Sequence, residues 1–120
     1  DLQRLKETCD NQDHLTHDES LGDGRQATWV NCQRPPYDDV AMRQASNAII
    51  YGLQPVIIEE LYDGFGERAI SPINKSMQFW HNPETPVFEG AGTAIEILKD
   101  AGYVWDPDGN IYYPEGKTGK

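Results

Sequence analysis

Two consecutive prolines, Pro35 and Pro36, mark the sharpest break in the chain. The preceding residues, 26–33, alternate between two faces and include β-branched and aromatic side chains, which predicts a β-strand. The strand must end at the prolines because neither can donate a backbone hydrogen bond to a sheet. Asp38 and Asp39 follow, and carboxylates at this point are typical of the N-terminal cap of a helix. The prolines therefore predict a corner between a strand and a helix.

The rest of the chain is divided by glycines and prolines into short elements. Apolar side chains at helical spacing predict helices at residues 1–8, from about 40 to a break at Gly52, from Pro55 to about 65, and at 92–101. The stripes are Ala41, Ala45, Ala48 and Ile49, then Ile58, Leu61, Tyr62 and Phe65, then Ala94, Ile97, Leu98 and Ala101. Residues 103–105 and 110–113 flank a Pro/Asp/Gly turn and predict a hairpin, and 66–90 is predicted to be loop. Together these predict an α/β fold with a mixed sheet and three to four helices, in a single domain over residues 1–120.

The core of such a domain is expected to be thin. Leu, Ile, Val and Phe number 24 of 120 residues, and the formal charge is −10. An acidic surface repels phosphate groups, which argues against nucleic-acid and anionic-membrane partners. No stretch approaches the roughly 18 apolar residues of a membrane span. The chain opens Asp-Leu-Gln without a Met, and we expect a processed chain or a piece of a longer one.

Several pairs of polar residues are candidates for metal or catalytic sites. His14 and His17 lie three apart and would share a helical face, but the pattern favours solvated loop histidines because no third ligand is evident. Asp106 to Asn110 is similar to the start of a calcium loop, yet Lys117 stands where such a loop needs Glu, which favours a plain hairpin turn. The sequence predicts no metal site.

The acidic pairs have simpler explanations than acid–base catalysis. Adjacent residues of a helix do not face each other, so Asp38-Asp39 is interpreted as a cap and Glu59-Glu60 as a solvated helix face. No serine lies in a G-x-S-x-G context, and no glycine motif suits a phosphate. The sequence therefore predicts a protein that is not an enzyme, with no catalytic residues and no cofactor.

Aromatic residues outside the helical stripes are candidates for ligand contact. Trp29 and Asn31 are the best of these, because a strand that ends at a proline corner presents its last side chains at a sheet edge. Trp80 in the long loop is the third candidate. The alternative for each aromatic side chain is that it fills a core short of aliphatic residues.

Cys9 and Cys32 lie 23 positions apart and match no zinc spacing. Two buried thiols are expected in a reducing compartment, and one disulfide in an oxidising one. The spacing alone leaves both open.

Four segments resemble, in order, the extracellular solute-binding proteins that feed peptide, nickel and related ABC importers. The segments are NCQRPPYDDVAMRQA at 31–45, LYDGFG at 61–66 with AISPI at 69–73, AIEILKDAGY at 94–103, and DGNI at 108–111. They resemble the family's Pro-Phe-Asp-Asp corner with Val-Arg-x-Ala, its Leu-x-x-Gly-x-Gly and Ala-x-Gly-Pro-Ile, its Ala-x-x-Leu-Leu-x-x-Ala-Gly-Tyr, and its Asp-Gly-x-Ile. Two departures are Ile50-Tyr51-Gly52 after Ala48-Ile49, and Ser71 in place of a Gly. The resemblance covers roughly residues 26–113.

The resemblance implies part of one lobe, the second, of a two-lobed periplasmic-binding-protein-like fold, since family members are several times longer. It implies an exported protein, periplasmic or extracellular, that binds a peptide-like or other small solute without catalysis and delivers it to the membrane permease subunits of an ABC importer. A monomer is expected. Ligand contacts would come from Trp29, Asn31 and Trp80, and an oxidising compartment would favour a Cys9–Cys32 disulfide. The alternative is a small exported acidic domain that binds a protein partner through exposed aromatic residues.

Overall fold

The computed structural model describes residues 2–20, 22, 24–114 and 116. Three helices precede a hairpin: α1 (Leu2–Asp10), α2 (Val40–Tyr62), α3 (Gly90–Asp100), β1 (Val104–Trp105) and β2 (Ile111–Tyr112). The two strands are antiparallel, with Val104 opposite Tyr112 and Trp105 opposite Ile111. The prediction of a small fold that mixes helices and strands is confirmed. Within the described residues, the sheet is this two-stranded hairpin and not a larger mixed sheet.

The chain forms two compact units. Unit 1 comprises Asp1–Gln26 and Gln54–Thr85, and unit 2 comprises Ala27–Leu53 and Pro86–Lys120. The sequence predicts a single domain, and that stays a prediction. Among the residues that the structure describes, no helix is long and apolar enough to cross a membrane.

Unit 2 contains the apolar core. Its buried residues are Ala45, Ala48, Ala94, Leu98 and Tyr103. Half-buried side chains packed on them are Ala41, Met42, Phe88, Ile97, Ala101, Trp105 and Tyr113. The predicted stripe of α3 is therefore confirmed, while Ile49 of the α2 stripe is largely exposed. Three of the five buried residues are alanines, so the core is as thin as the composition predicts.

The predicted break at Gly52 is wrong, because α2 continues through Gly52 and Pro55 as one helix of 23 residues. A glycine costs a helix only about 1 kcal/mol. Gly52 also allows close packing. A Cβ at this position would lie only 3.1 Å from the backbone of Gly90, so the absence of a side chain lets α2 approach the start of α3 closely. Pro55 lies inside the helix and removes one backbone hydrogen bond, at a cost of about 3 kcal/mol.

The predicted strand at 26–33 is also wrong, since these residues form no strand. An isolated strand leaves its backbone groups without partners and forms only beside another strand. In the described part of the chain, β1 and β2 pair with each other. The alternation of residues 26–33 is therefore not used by a sheet.

The N-terminus of α2 and the C-terminus of α3 lie at the residues that the sequence predicts. Asp39 caps α2, because its Oδ1 accepts a hydrogen bond from the Ala41 amide at 3.0 Å. Gly102 ends α3 with a φ of +86°, and the Gly102 amide donates to the Lys99 carbonyl at 2.9 Å. The Tyr103 amide donates to the Leu98 carbonyl at 2.9 Å, which completes a Schellman motif.

Unit 1 is held together differently. None of its residues whose burial is described, among them residues 3–10 of α1, is buried. Long-range hydrogen bonds from side-chain amides to the backbone connect its segments instead. Gln54 on α2 pairs with both backbone groups of Ala69, at 3.0 and 3.2 Å. Asn74 Nδ2 donates to the carbonyls of Gly22 and Gly24 at 3.0 and 3.3 Å.

Candidate functional site

Trp29 and Asn31, the leading candidates from the sequence, lie on the extended segment of unit 2 before the proline corner. The Trp29 side chain is 82% exposed, so it does not fill the core. The Asn31 side chain stabilises the corner: its Oδ1 accepts a hydrogen bond from the Gln33 amide at 3.0 Å. The Asn31 carbonyl accepts a second bond, from the Arg34 amide at 3.2 Å. The exposed Trp29 side chain is therefore accessible to a ligand, while the Asn31 side chain is engaged in the corner.

Trp80 lies in unit 1 beside Phe79, and the two rings meet edge to face with centroids 4.9 Å apart. Phe79 is 87% and Trp80 69% exposed. This aromatic pair, Phe79–Trp80, is held by an ordered loop. The amides of Trp80 and His81 both donate to the Met77 carbonyl at 2.9 and 3.0 Å.

The aromatic pair is therefore exposed on a loop that is held by hydrogen bonds. The His81 ring further anchors the loop, with Nδ1 2.9 Å from the Ile73 carbonyl oxygen. The sequence identified Trp80 but not Phe79 as a site residue, although the adjacency of two aromatic residues in a polar loop was visible. The structure brings Phe79 and Trp80 together within unit 1, and Trp29 lies with Asn31 in unit 2.

A side-chain hydrogen bond in unit 2 joins the residue before α2 to a residue after α3. The buried Tyr103 hydroxyl donates a hydrogen bond to Asp39 Oδ2 at 3.0 Å. Burial first, and then this hydrogen bond to a carboxylate, raise the pKa of Tyr103 well above its usual range. The Tyr113 ring lies 5.6 Å from that of Tyr103, and desolvation followed by the charges of Asp38 and Asp39 raises the pKa of Tyr113.

This arrangement connects the cap of α2 to the residues after α3. Asp39 uses one carboxylate oxygen as a helix cap and the other for Tyr103. A phenol with a raised pKa is a poor base and a poor nucleophile at neutral pH. The interpretation of Asp38-Asp39 as a cap is confirmed for Asp39. Its hydrogen bond to Tyr103, 64 positions away, was not predictable from a local pattern.

Asp106 organises the hairpin turn that is similar to a calcium loop. Its Oδ1 accepts from the Asn110 amide and its Oδ2 from Asn110 Nδ2, both at 2.8 Å. The Tyr112 hydroxyl donates to the same Oδ2 at 3.0 Å. These bonds, that from the Asn110 side chain first, lower the pKa of the Asp106 carboxyl. Both carboxylate oxygens bond within the turn, and β1 pairs with β2 across it, which confirms the interpretation as a hairpin turn.

The histidine and cysteine residues do not form a metal centre in the described part of the chain, where no group of three suitable ligands exists. His17 lies 3.5 Å from Asp10 and 3.7 Å from Glu19, as an exposed ion pair when it is protonated. Cys9 is half-buried and Cys32 exposed, and both are free thiols here. The Cys9–Cys32 disulfide stays a prediction for an oxidising compartment.

One polar cavity was missed at the sequence level. It lies in unit 1, has a volume of about 410 Å³ and is lined by Gln3, Lys6, Glu59, Asp63 and Phe65. The available signal was the spacing of Glu59 and Asp63, four apart at the end of a helix without a basic residue in its last turn. Those two carboxylates share a helical side, unlike the adjacent pair Glu59-Glu60.

Comparison with known proteins identifies no relative: no protein-family model matches the chain, and no curated protein or solved structure matches it either.

Proposed function

We propose that the chain is part of the second lobe of an exported solute-binding protein of an ABC importer. In this role it takes part in the non-catalytic binding of a peptide-like or other small solute. The full protein closes two lobes on the solute and then contacts the permease subunits at the membrane. The proposal starts from the four segments between residues 31 and 111 that resemble this class of protein and follow one another in the same order as in that class.

The observation that supports the proposal most strongly is the amount of apolar surface exposed to solvent. Twenty-one large hydrophobic side chains are exposed, against five buried residues, among those that the structure describes. On α2 they include Ile49, Ile50 and Leu53 in unit 2, and Val56, Ile57 and Leu61 in unit 1. Residues 44–58 of this helix carry no charged side chain in a chain of charge −10.

Surface of this kind is unusual for an isolated monomer, in which large apolar patches mark interfaces. In the proposed protein the remainder of the lobe packs on it. Trp29 is the best candidate for solute contact because it is a large aromatic residue that is 82% exposed in the segment before the proline corner. Asn31 supports that segment, and Trp80 provides a second aromatic surface.

The test uses the product of the whole reading frame that contains these residues. We expect the reading frame to encode a first lobe as well. We expect its product to bind a di- or tripeptide, such as trialanine, with micromolar or better affinity in titration calorimetry. Trp29→Ala should weaken binding at least tenfold, and the neighbouring Val30→Ala serves as the matched control. Submicromolar binding by the 120-residue chain alone would contradict the proposal, since half of the cleft would then be unnecessary.

A second candidate is a small acidic interaction domain, favoured by the exposure of the Phe79–Trp80 pair. Aromatic residues exposed on a loop that is held by hydrogen bonds suit the centre of a protein interface. This candidate predicts that the 120-residue chain forms a defined complex with one protein, and that Trp80→Ala abolishes the complex whereas Trp29→Ala preserves it. The opposite dependence would exclude it.

A further inference from the structure

The cavity of unit 1 is built by two helix ends and a tight turn. Gln3 and Lys6 lie one turn apart on α1 and form one wall, and Glu59 and Asp63 form another at the C-terminal end of α2. The Gly64 amide donates to the Ile58 carbonyl at 3.0 Å, and the Phe65 amide donates to the Tyr62 carbonyl at 2.8 Å. These bonds fix the turn that brings the Phe65 ring into the cavity.

The charges of the cavity do not balance. Asp63, with a φ of +51°, lies just beyond the last residue of α2, and the Glu59 carboxylate lies over the next turn, 3.8 Å from the position of a Cβ on Gly64. Both negative groups therefore lie near the negative end of the helix dipole, and the last turn contains no basic residue. Lys6 is the one cation in the lining, and its Nζ is already 3.0 Å from Glu19.

The aromatic wall indicates which kind of ligand would restore the balance. The Lys6 ammonium lies over the Phe65 ring, 6.0 Å from its centroid, so the ring already contacts a cation with an alkyl stem. The described residues include no group of three ligands for a metal ion. A bare cation is therefore less suited to the cavity than an organic one, whose stem packs on the ring while its head meets the carboxylates.

We propose that this cavity binds an organic cation, namely an alkylammonium or guanidinium group on a hydrocarbon stem. Glu59 and Asp63 bind the head by charge-assisted hydrogen bonds, and Phe65 contacts the stem. The same chemistry occurs in a free diamine and in a lysine side chain of a peptide. The site does not depend on the proposed function, because it lies wholly within unit 1 of the chain.

The test titrates the 120-residue chain with cadaverine in one arm and with the peptide acetyl-Ala-Lys-Ala-amide in the other, followed by amide chemical shifts at low salt. We expect saturable shifts at the cavity residues with a dissociation constant on the order of 1 mM, as for a small exposed site. Tighter binding in one arm identifies the source of the cation. An acetyl-Ala-Gln-Ala-amide control should not bind.

Charge-neutral variants separate a built site from general attraction to an acidic protein. Glu59→Gln and Asp63→Asn should each weaken binding about three- to tenfold, and Phe65→Leu about threefold. Glu60→Gln is the matched control, because Glu60 is adjacent on the helix but does not line the cavity. Unchanged backbone spectra verify folding of each variant. Equal weakening by Glu60→Gln, or no saturation in either arm, would overturn the proposal.

Discussion

The two units of the molecule use different interactions to stabilise their folds. Unit 2 buries small side chains of α2 and α3 against Leu98 and Tyr103. Unit 1 has no buried residue among those described and depends on side-chain amides such as Gln54 and Asn74 that bond distant backbone groups. Exposed hydrogen bonds contribute little net stability and open easily, whereas a packed core opens cooperatively. The loop of unit 1 therefore presents Phe79 and Trp80 from a unit in which no residue of described burial is buried.

The largest expected effect is on the core of unit 2. Leu98→Ala should lower the free energy of unfolding by about 2–4 kcal/mol, because it removes a large buried side chain from a core otherwise rich in alanine. Urea denaturation measures the loss. Leu61→Ala is the matched control: Leu61 is 72% exposed and Leu98 only 8%, so this variant should change stability by less than about 0.5 kcal/mol. Equal effects would mean that the packed region of unit 2 does not determine stability.

The next effect concerns the hydrogen bond between Tyr103 and Asp39. Tyr103→Phe should cost about 1–2 kcal/mol at pH 7, because a buried bond to a carboxylate is lost. Folding raises the pKa of Tyr103, so the folded state holds this proton more tightly. Stability from this group is therefore full below pH 10, the usual pKa of tyrosine, and falls as the pH rises above it.

Urea denaturation of the wild type and Tyr103→Phe at pH 8 and pH 11 measures this dependence. The difference in the free energy of unfolding between the two proteins should shrink at the higher pH, since only the wild type carries the Tyr103 hydroxyl. A difference that stays constant would show that the hydroxyl proton is not involved.

A third prediction compares two glycines near α3 with the same substitution. Gly102→Ala should destabilise by about 1 kcal/mol, because Gly102 has a φ of +86° and a Cβ would lie 3.4 Å from Pro114. Gly92→Ala should stabilise by about 0.5–1 kcal/mol, because it lies inside α3 with nothing within 4 Å of a Cβ. Thermal unfolding should show opposite signs. The same sign at both positions would contradict the helix end described here.

The smallest effect is expected in unit 1. Asn74→Ala should reduce stability by about 0.5–1 kcal/mol, because the bonds to Gly22 and Gly24 are exposed. Hydrogen exchange should show faster exchange of the loop amides of Met77 and Trp80, with little change at Leu98 in unit 2. Slow exchange of these loop amides in the wild type, comparable with that of α3, would remove the contrast between the units.

The parts of the fold that were predictable depend on local interactions. Asp39 as a cap, the stripe of α3, Gly102 at its end and the hairpin around Asp106 all involve residues within a few positions of each other. The strand at 26–33 and the break at Gly52 were mispredicted because both depend on what lies nearby in space. A strand needs a neighbouring strand, and Gly52 was interpreted as a breaker although it contacts Gly90.

The features of the candidate sites likewise divide into those that depend on local sequence and those that depend on contacts between distant residues. The scarcity of core residues was predictable from the sequence because it follows from composition. The exposure of Trp29 and Trp80 was not, since each could instead have filled the core, and it is known from the structure. Only the tertiary structure decided that Tyr103 bonds to Asp39 and that α1 closes a cavity against Glu59, Asp63 and Phe65. The physical reason is that such contacts join residues more than 50 positions apart, and their geometry depends on how helices pack.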